Sequence, residues 1–195
     1  MRGGPVPRNV EISDIYAAAI DLFCERGFAG TTTKEISERA GVNEVTLFRR
    51  FGSKASLMEA AISHTLANAP FAQVAAGDDV EADLRKVVEG YLTTYRRHGG
   101  LAFTLFSQMP HHPELRGVTP VLFQNIRNVA RILESHQAEG RIRTGDSLRF
   151  VIALIAPLAV MGFMKEMGLG EGHAGLDVDG YVRAYLAGHG AGPEA

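Results

Sequence analysis

The sequence predicts an all-α chain of about nine helices: a compact N-terminal three-helix unit containing a helix-turn-helix, then a larger C-terminal helical bundle. Three observations carry this expectation. Apolar residues recur at three- and four-residue intervals along most of the 195 residues, whereas strand-like alternation never persists. Small polar residues and glycines fall where helices need caps and stops. A composition of 46% apolar and 22% charged residues suits a soluble chain with a sizeable core.

Each element follows in order. A first helix is expected from about Val10 to Arg26, with Ile12, Ile15, Tyr16, Ala19, Leu22 and Phe23 on one face and Gly27 as its stop. Thr32, three residues before Glu35, reads as a capping box for a short second helix that stops at Ala40-Gly41. A third short helix spans about Asn43 to Phe51, and Gly52 breaks it. Ser53 caps a fourth helix that begins at Lys54 and carries Leu57, Met58, Ala61 and Ile62. Asn68 to Asp79 reads as a connection and Val80 to Arg97 as the fifth helix. Gly99-Gly100 separates that helix from a sixth over Leu101–Met109, and Pro110-His111-His112-Pro113 is a break. A long helix follows from about Glu114 to Glu139, irregular around Gly117 and Pro120. Gly140 to Gly145 is a turn, and an apolar helix from Ser147 to Met167 contains Pro157 as a kink. Residues 168–175 form a loop, a final helix runs from about Val178 to His189, and the Gly/Pro-containing tail frays.

Charge says little about partners. The net charge is −2, and residues 1–64 are themselves balanced, so a polyanion partner must be argued from local placement. The single cysteine, Cys24, excludes an internal disulfide framework and a cysteine zinc site, and it suits a cytoplasmic setting. Cys24 reads as a small buried apolar group. No apolar run follows Arg2 and Arg8, so Met1 to Val10 is not expected to be a signal peptide. The most apolar stretch, Phe150 to Met164, spans 15 residues, short of the ~20 that cross a bilayer, and is expected to be a buried helix.

Function is carried by residues 31–54. Ile36 and Ala40, Val42 in the Gly41 turn, and Leu47 and Phe51 can face one another across two short helices. This is a helix-turn-helix, whose second helix enters the major groove. With Leu47 and Phe51 inward, Val45 and Arg49 point outward, flanked by Thr46, Phe48 and Arg50. Phe28, Thr33, Ile36, Ala40-Gly41-Val42, Thr46-Leu47-Phe48, Phe51 and Ser53-Lys54 ahead of Leu57 together resemble the DNA-binding domain of the TetR family of transcriptional regulators. The resemblance covers about residues 9–62, the last of them the start of the connecting helix.

The resemblance implies a DNA-binding domain over 1–54 and a ligand-binding and dimerisation domain over 55–195. It implies that Thr32 or Thr33 and Lys54 hold phosphates, with Lys34 on a phosphate or a base edge. Glu44, Val45 and Thr46 approach bases, through cytosine N4 or a thymine methyl. Glu44 equally suits the helix dipole, and Val45 equally suits a spacer. Arg49 and Arg50 stand where the family often carries aromatics or His, and Phe48 lacks the hydroxyl of the frequent Tyr. Three cations within six residues would ordinarily be a solvated face; in this setting they are expected to contact DNA.

The family role further implies a homodimer built by Ser147–Met167 and Val178–His189, a double-stranded, near-palindromic operator, and a small, largely apolar effector that releases a repressor. Tyr91, Tyr95, Phe103, Phe106, Met109, Phe123, Met161, Phe163 and Met164 are candidates for the pocket, against the alternative of core packing for any one of them. His111 and His112 read as loop residues. No metal, cofactor or membrane partner is expected. An enzyme is disfavoured by the lack of GxSxG, HExxH or a phosphate-cradling loop. A helical protein-interaction module is the third class, and the outward cations argue against it.

Overall fold

The computed structural model describes residues 11–190. The expected helix start at Val10, the reading of Met1 to Val10 and the fraying of 191–195 lie outside them. Among the described residues there are nine α-helices: α1 (Ile12–Gly30), α2 (Thr33–Ala40), α3 (Glu44–Phe51), α4 (Lys54–Ala67), α5 (Val80–His98), α6 (Leu101–Gln108), α7 (Thr119–Ala138), α8 (Ser147–Glu166) and α9 (Val178–His189). The one β-type pairing is an isolated bridge between Ile142 and Gly190.

Local chemistry sets most boundaries. Side chains of Asn43, Ser53, Asp79, Asp146 and Asp177 accept from the free N–H groups that open α3, α4, α5, α8 and α9. Gly27 interrupts α1 with φ 69° and ψ −177°, and α1 resumes for one turn to Gly30. Gly41 closes α2 in the left-handed conformation. Two segments depart from expectation. Pro70–Gln73 forms a 3-10 turn inside the connection before α5. The helix expected from Glu114 begins instead at Thr119, preceded by a 3-10 segment over Pro113–Val118. Pro120 explains the shift: its missing N–H is harmless only in a first turn.

Two apolar clusters organise the packing. The first joins α1–α4 through Phe23, Ile36, Leu47, Leu57 and Ile62, and it also takes in Leu101 and Leu105 of α6 and Leu115 and Val118 of the second 3-10 segment. The other binds α5, α7, α8 and α9 through Leu84, Val88, Leu133, Leu154, Leu158 and Val182. Helix α6 therefore belongs to the N-terminal core although it follows α5 in the chain.

Helix α8 corrects two expectations. It is 20 residues long, and by length and composition alone it is apolar enough to cross a membrane, so the 15-residue count understates it. Nor is it buried all round. Phe150, Val151, Leu154, Leu158 and Gly162 are buried, while Leu148, Ile152, Val160 and Met164 are exposed.

A buried polar cluster ties the second core together. Asp83 accepts from the Gly77 amide, from Lys86 and from His136 Nε2 (3.1 Å), and His136 Nδ1 accepts from Arg141 (3.0 Å). A guanidinium can only donate, so Nδ1 is the accepting nitrogen and Nε2–H the one that donates to Asp83. Burial alone would raise the Asp83 carboxyl, but the Gly77 amide, Lys86 and His136 outweigh it and hold the group below the ordinary carboxylate range.

Candidate nucleic-acid interface and ligand cleft

The helix-turn-helix is built as its sequence requires. Ile36 and Leu47 are fully buried, with Ala40, Val42 and Phe51 packed against them, and the Phe51 ring lies 6.0 Å from that of Tyr16. With that side inward, α3 presents Val45 (71% exposed), Phe48 (49% exposed), Arg49 and Arg50 outward, and Thr46 is half-buried.

The side chains at the start of α2 and α3 are mutually engaged. Thr32 Oγ1 accepts from the Glu35 amide (3.2 Å) and donates to Glu35 Oε2 (2.8 Å). The Glu35 carboxylate thus returns to the hydroxyl and not to the Thr32 amide, which corrects the expected capping box. Thr33 donates to Glu44 Oε1 (2.6 Å), fastening the first turn of α2 to that of α3. This link is a role for Glu44 that neither base reading nor dipole complementarity had included.

The cations divide into two groups. Arg39 makes a two-pronged pair with Glu25 (2.7 and 3.0 Å), and Arg26 pairs with Glu35. Lys34, Arg49 and Arg50 are exposed and have no carboxylate partner among the described residues. Lys54 is held differently: its Nζ donates to the Phe28 carbonyl (2.8 Å) and sits 4.4 Å from the Phe28 ring centroid. Two of its N–H groups remain to offer.

The second feature is an apolar cleft among α5, α6, α7 and α8. It comprises adjoining cavities of about 270 and 200 Å³ that share Tyr91, Tyr95, Gly99, Ala102, Phe106 and Ala159. Of the residues expected to line a pocket, Tyr91, Tyr95, Phe103, Phe106 and Phe163 do, and Phe103 stacks on Phe163 with ring centroids 4.0 Å apart. Met109, Phe123, Met161 and Met164 do not. Met109 packs against the N-terminal core, Phe123 and Met164 are exposed, and Met161 lines neither cavity. Tyr95 is not a free handle: its hydroxyl is held by Glu166 (2.8 Å) and lies 3.1 Å from the Gly162 carbonyl. Burial, then the Glu166 contact, pushes it up to about 12. The Tyr91 hydroxyl, also raised to about 12 by burial, has no hydrogen-bond partner among the described residues.

Sequence reasoning missed Asn125, His98, Leu66 and the aliphatic residues of α8 in this lining. Asn125 carried a readable signal, a polar residue on the apolar stripe Leu122–Ile126–Val129. Cys24 is half-buried, its thiol donates to the His98 carbonyl (3.3 Å), and burial pushes it up to about 12. The His112 ring rests on Phe28 (5.0 Å). No group of His, Cys, Asp and Glu among the described residues is arranged to hold a metal.

Residues 15–61 match the family described as "Bacterial regulatory proteins, tetR family". The chain is 31% identical over 125 residues to the uncharacterized HTH-type transcriptional regulator YvkB of Bacillus subtilis, covering 63% of this chain and 57% of that protein. It is 42% identical over 60 residues to the HTH-type transcriptional repressor Rv3405c of Mycobacterium tuberculosis, covering 31% of this chain and 32% of that one. The chain thus spans less than two thirds of the one relative and about a third of the other. A crystal structure described as a TetR-family transcriptional regulator from Mesorhizobium loti superposes with a TM-score of 0.66 at 18% identity, covering 95% of this chain and all of the other, which establishes a shared fold.

Proposed function

We propose that this chain, whose residues 15–61 match the tetR family of bacterial regulatory proteins, is a ligand-responsive transcriptional repressor that binds a near-palindromic duplex as a homodimer. The observation that carries this reading is the outer side of α3. Val45 and Phe48 are exposed there beside Arg49 and Arg50, which have no carboxylate partner among the described residues, while the neighbouring Arg26 and Arg39 are neutralised by Glu35 and Glu25. Unpaired cations around exposed apolar groups suit phosphate contact combined with contact to thymine methyls.

One eight-residue helix meets few bases, so discrimination calls for two copies on half-sites about 34–36 Å apart. Leu148, Ile152, Ala156, Val160 and Met164 form an exposed stripe at four-residue spacing on α8, whose middle residues Ile152, Ala156 and Val160 also border the mouth of the cleft, and α9 offers small exposed residues Ala184, Ala187 and Gly188 in the same bundle. A second copy covering these faces bury them as a four-helix interface would. The cleft is the effector site in this reading, suited to a small, largely apolar molecule. Helix α6 supports coupling: Leu101, Ala102 and Phe106 border the cleft, while Leu101 and Leu105 also belong to the core shared with α1–α4. By linkage, an effector that weakens DNA binding must itself be bound more weakly by the DNA complex, by the same factor.

The test is selection of bound duplexes from a random pool with wild type and an Arg49→Ala/Arg50→Ala variant in parallel at low salt. Recovery of an inverted repeat by wild type, weakened in the variant, is expected. No enriched motif would overturn the proposal in favour of a protein partner.

A further inference from the structure

Asn125 is the one polar side chain of the cleft that is both fully buried (3% exposed) and half used. Its Nδ2 donates to the Leu66 carbonyl near the C-terminal end of α4 (2.8 Å), a carbonyl that also accepts from the Ala69 amide (3.1 Å). That bond settles which end of the amide is which, because the opposite orientation would set two oxygens against each other. The Oδ1 atom is therefore left with no hydrogen-bond partner among the described residues. It is not sealed in the protein either: among the described residues, the only sealed side-chain polar atom without a partner is His173 Nδ1. Asn125 Oδ1 thus opens on the cleft as an acceptor with no protein donor, and an apolar ligand that displaces water from it without donating in turn leaves it unpaired at a cost in free energy.

The rest of the lining fixes the charge of what can donate. No Lys or Arg borders either cavity, and the one carboxylate at the edge, Glu166, is engaged by Tyr95. His98 is held below the ordinary histidine value by burial, then by Arg97, so it is neutral at neutral pH. A carboxylate in the cleft would find no counter-charge and would face Asn125 Oδ1 with a second acceptor. Resting on the reading of the cleft as the effector site, we infer that its ligand is an uncharged, largely apolar molecule bearing a hydroxyl or amide N–H, and that this group donates to Asn125 Oδ1. The Tyr91 hydroxyl is the second point of contact. A volume of about 270 Å³ suits a body of on the order of ten heavy atoms.

The test uses the full chain and three matched probes: 4-propylphenol, 4-propylanisole, in which the donor is masked, and 4-propylbenzoate, in which it is replaced by an anion. Binding is measured by calorimetry on wild type and on Asn125→Leu. The expected result is that wild type binds the phenol about tenfold or more tighter than the anisole and tighter than the benzoate, and that in N125L the phenol falls to the level of the anisole. Equal binding of phenol and anisole by wild type overturns the inference while leaving the cleft an apolar ligand site, as does tighter binding of the benzoate, or a phenol preference that survives in N125L. Binding of none of the three up to their solubility overturns the reading of the cleft itself. Where N125L fails to fold, equal binding of phenol and anisole by wild type still overturns the inference, and Asn125→Asp, which keeps the shape of the side chain, takes its place in the comparison.

Discussion

Replacing Arg49 and Arg50 by alanine should change how DNA binding responds to salt, by an amount set by the ion-pair pattern. Both side chains are exposed on α3 and neither has a carboxylate partner among the described residues, so each is available to displace a counterion from a phosphate. Every phosphate neutralised contributes about 0.9 to the slope of log K against log salt. Two arginines in each of two protomers give about 3.6. Between 50 and 200 mM salt the wild type should therefore lose roughly two decades more affinity than the double variant. Titrations of fluorescent duplex over that range measure both slopes. An Arg39→Ala control, whose arginine is already paired with Glu25, should leave the slope close to wild type. If the double variant kept the wild-type slope, these arginines would not lie on phosphates. A weakening confined to one duplex sequence, at unchanged slope, would place them on bases instead.

Four further outcomes are expected. Val160→Glu on the exposed stripe of α8 should convert a dimer to a monomer in sedimentation velocity; an unchanged dimer would move the interface elsewhere. Gly90→Ala would place a Cβ 2.6 Å from the Phe71 amide nitrogen and force the 3-10 turn away from α5, costing about 1–3 kcal/mol, read as a drop in thermal midpoint of roughly 2–4 °C per kcal/mol. Thr32→Ala removes the cap of α2 and should cost about 1 kcal/mol in denaturant unfolding. The Asp83 carboxyl is depressed in the folded state, so its stabilisation is present above its unfolded value and is lost as pH falls through the lower folded one. The thermal midpoint should decline below about pH 4, and Asp83→Asn should be less stable near neutrality with a shallower decline; parallel curves would show that Asp83 carries none of it.

The helix-turn-helix was legible because its determinants are local. Thr32, Asn43 and Ser53 cap helices within three residues of themselves, and Leu47 and Phe51 define an inward side by spacing alone. The cleft was only partly legible, because an amphipathic pattern says which side of a helix is buried and not against what. Met109 is half-buried, but it packs against the α1–α4 core and lines neither cavity of the cleft. The Asp83–His136 pair joins residues 53 positions apart, a separation at which no periodicity signals contact. The 3-10 segment before α7 escaped notice because Gly117 and Pro120 mark irregularity without saying where the regular helix resumes.

The short sixth helix constrains how such a protein can change over generations. It has eight residues, with Leu105 seated in the N-terminal core, Ala102 and Phe106 one position further on at the cleft wall, and Leu101 in both. A substitution that reshapes that wall from α6 also disturbs its packing on α1, in the core that the DNA-reading helices share. On the α7 and α8 sides of the cleft, Ile126, Ile155 and Ala159 pack against the second core and carry no such second duty. New binding preferences are therefore expected to accumulate there first, with α6 changing last and in company with compensating changes beneath it.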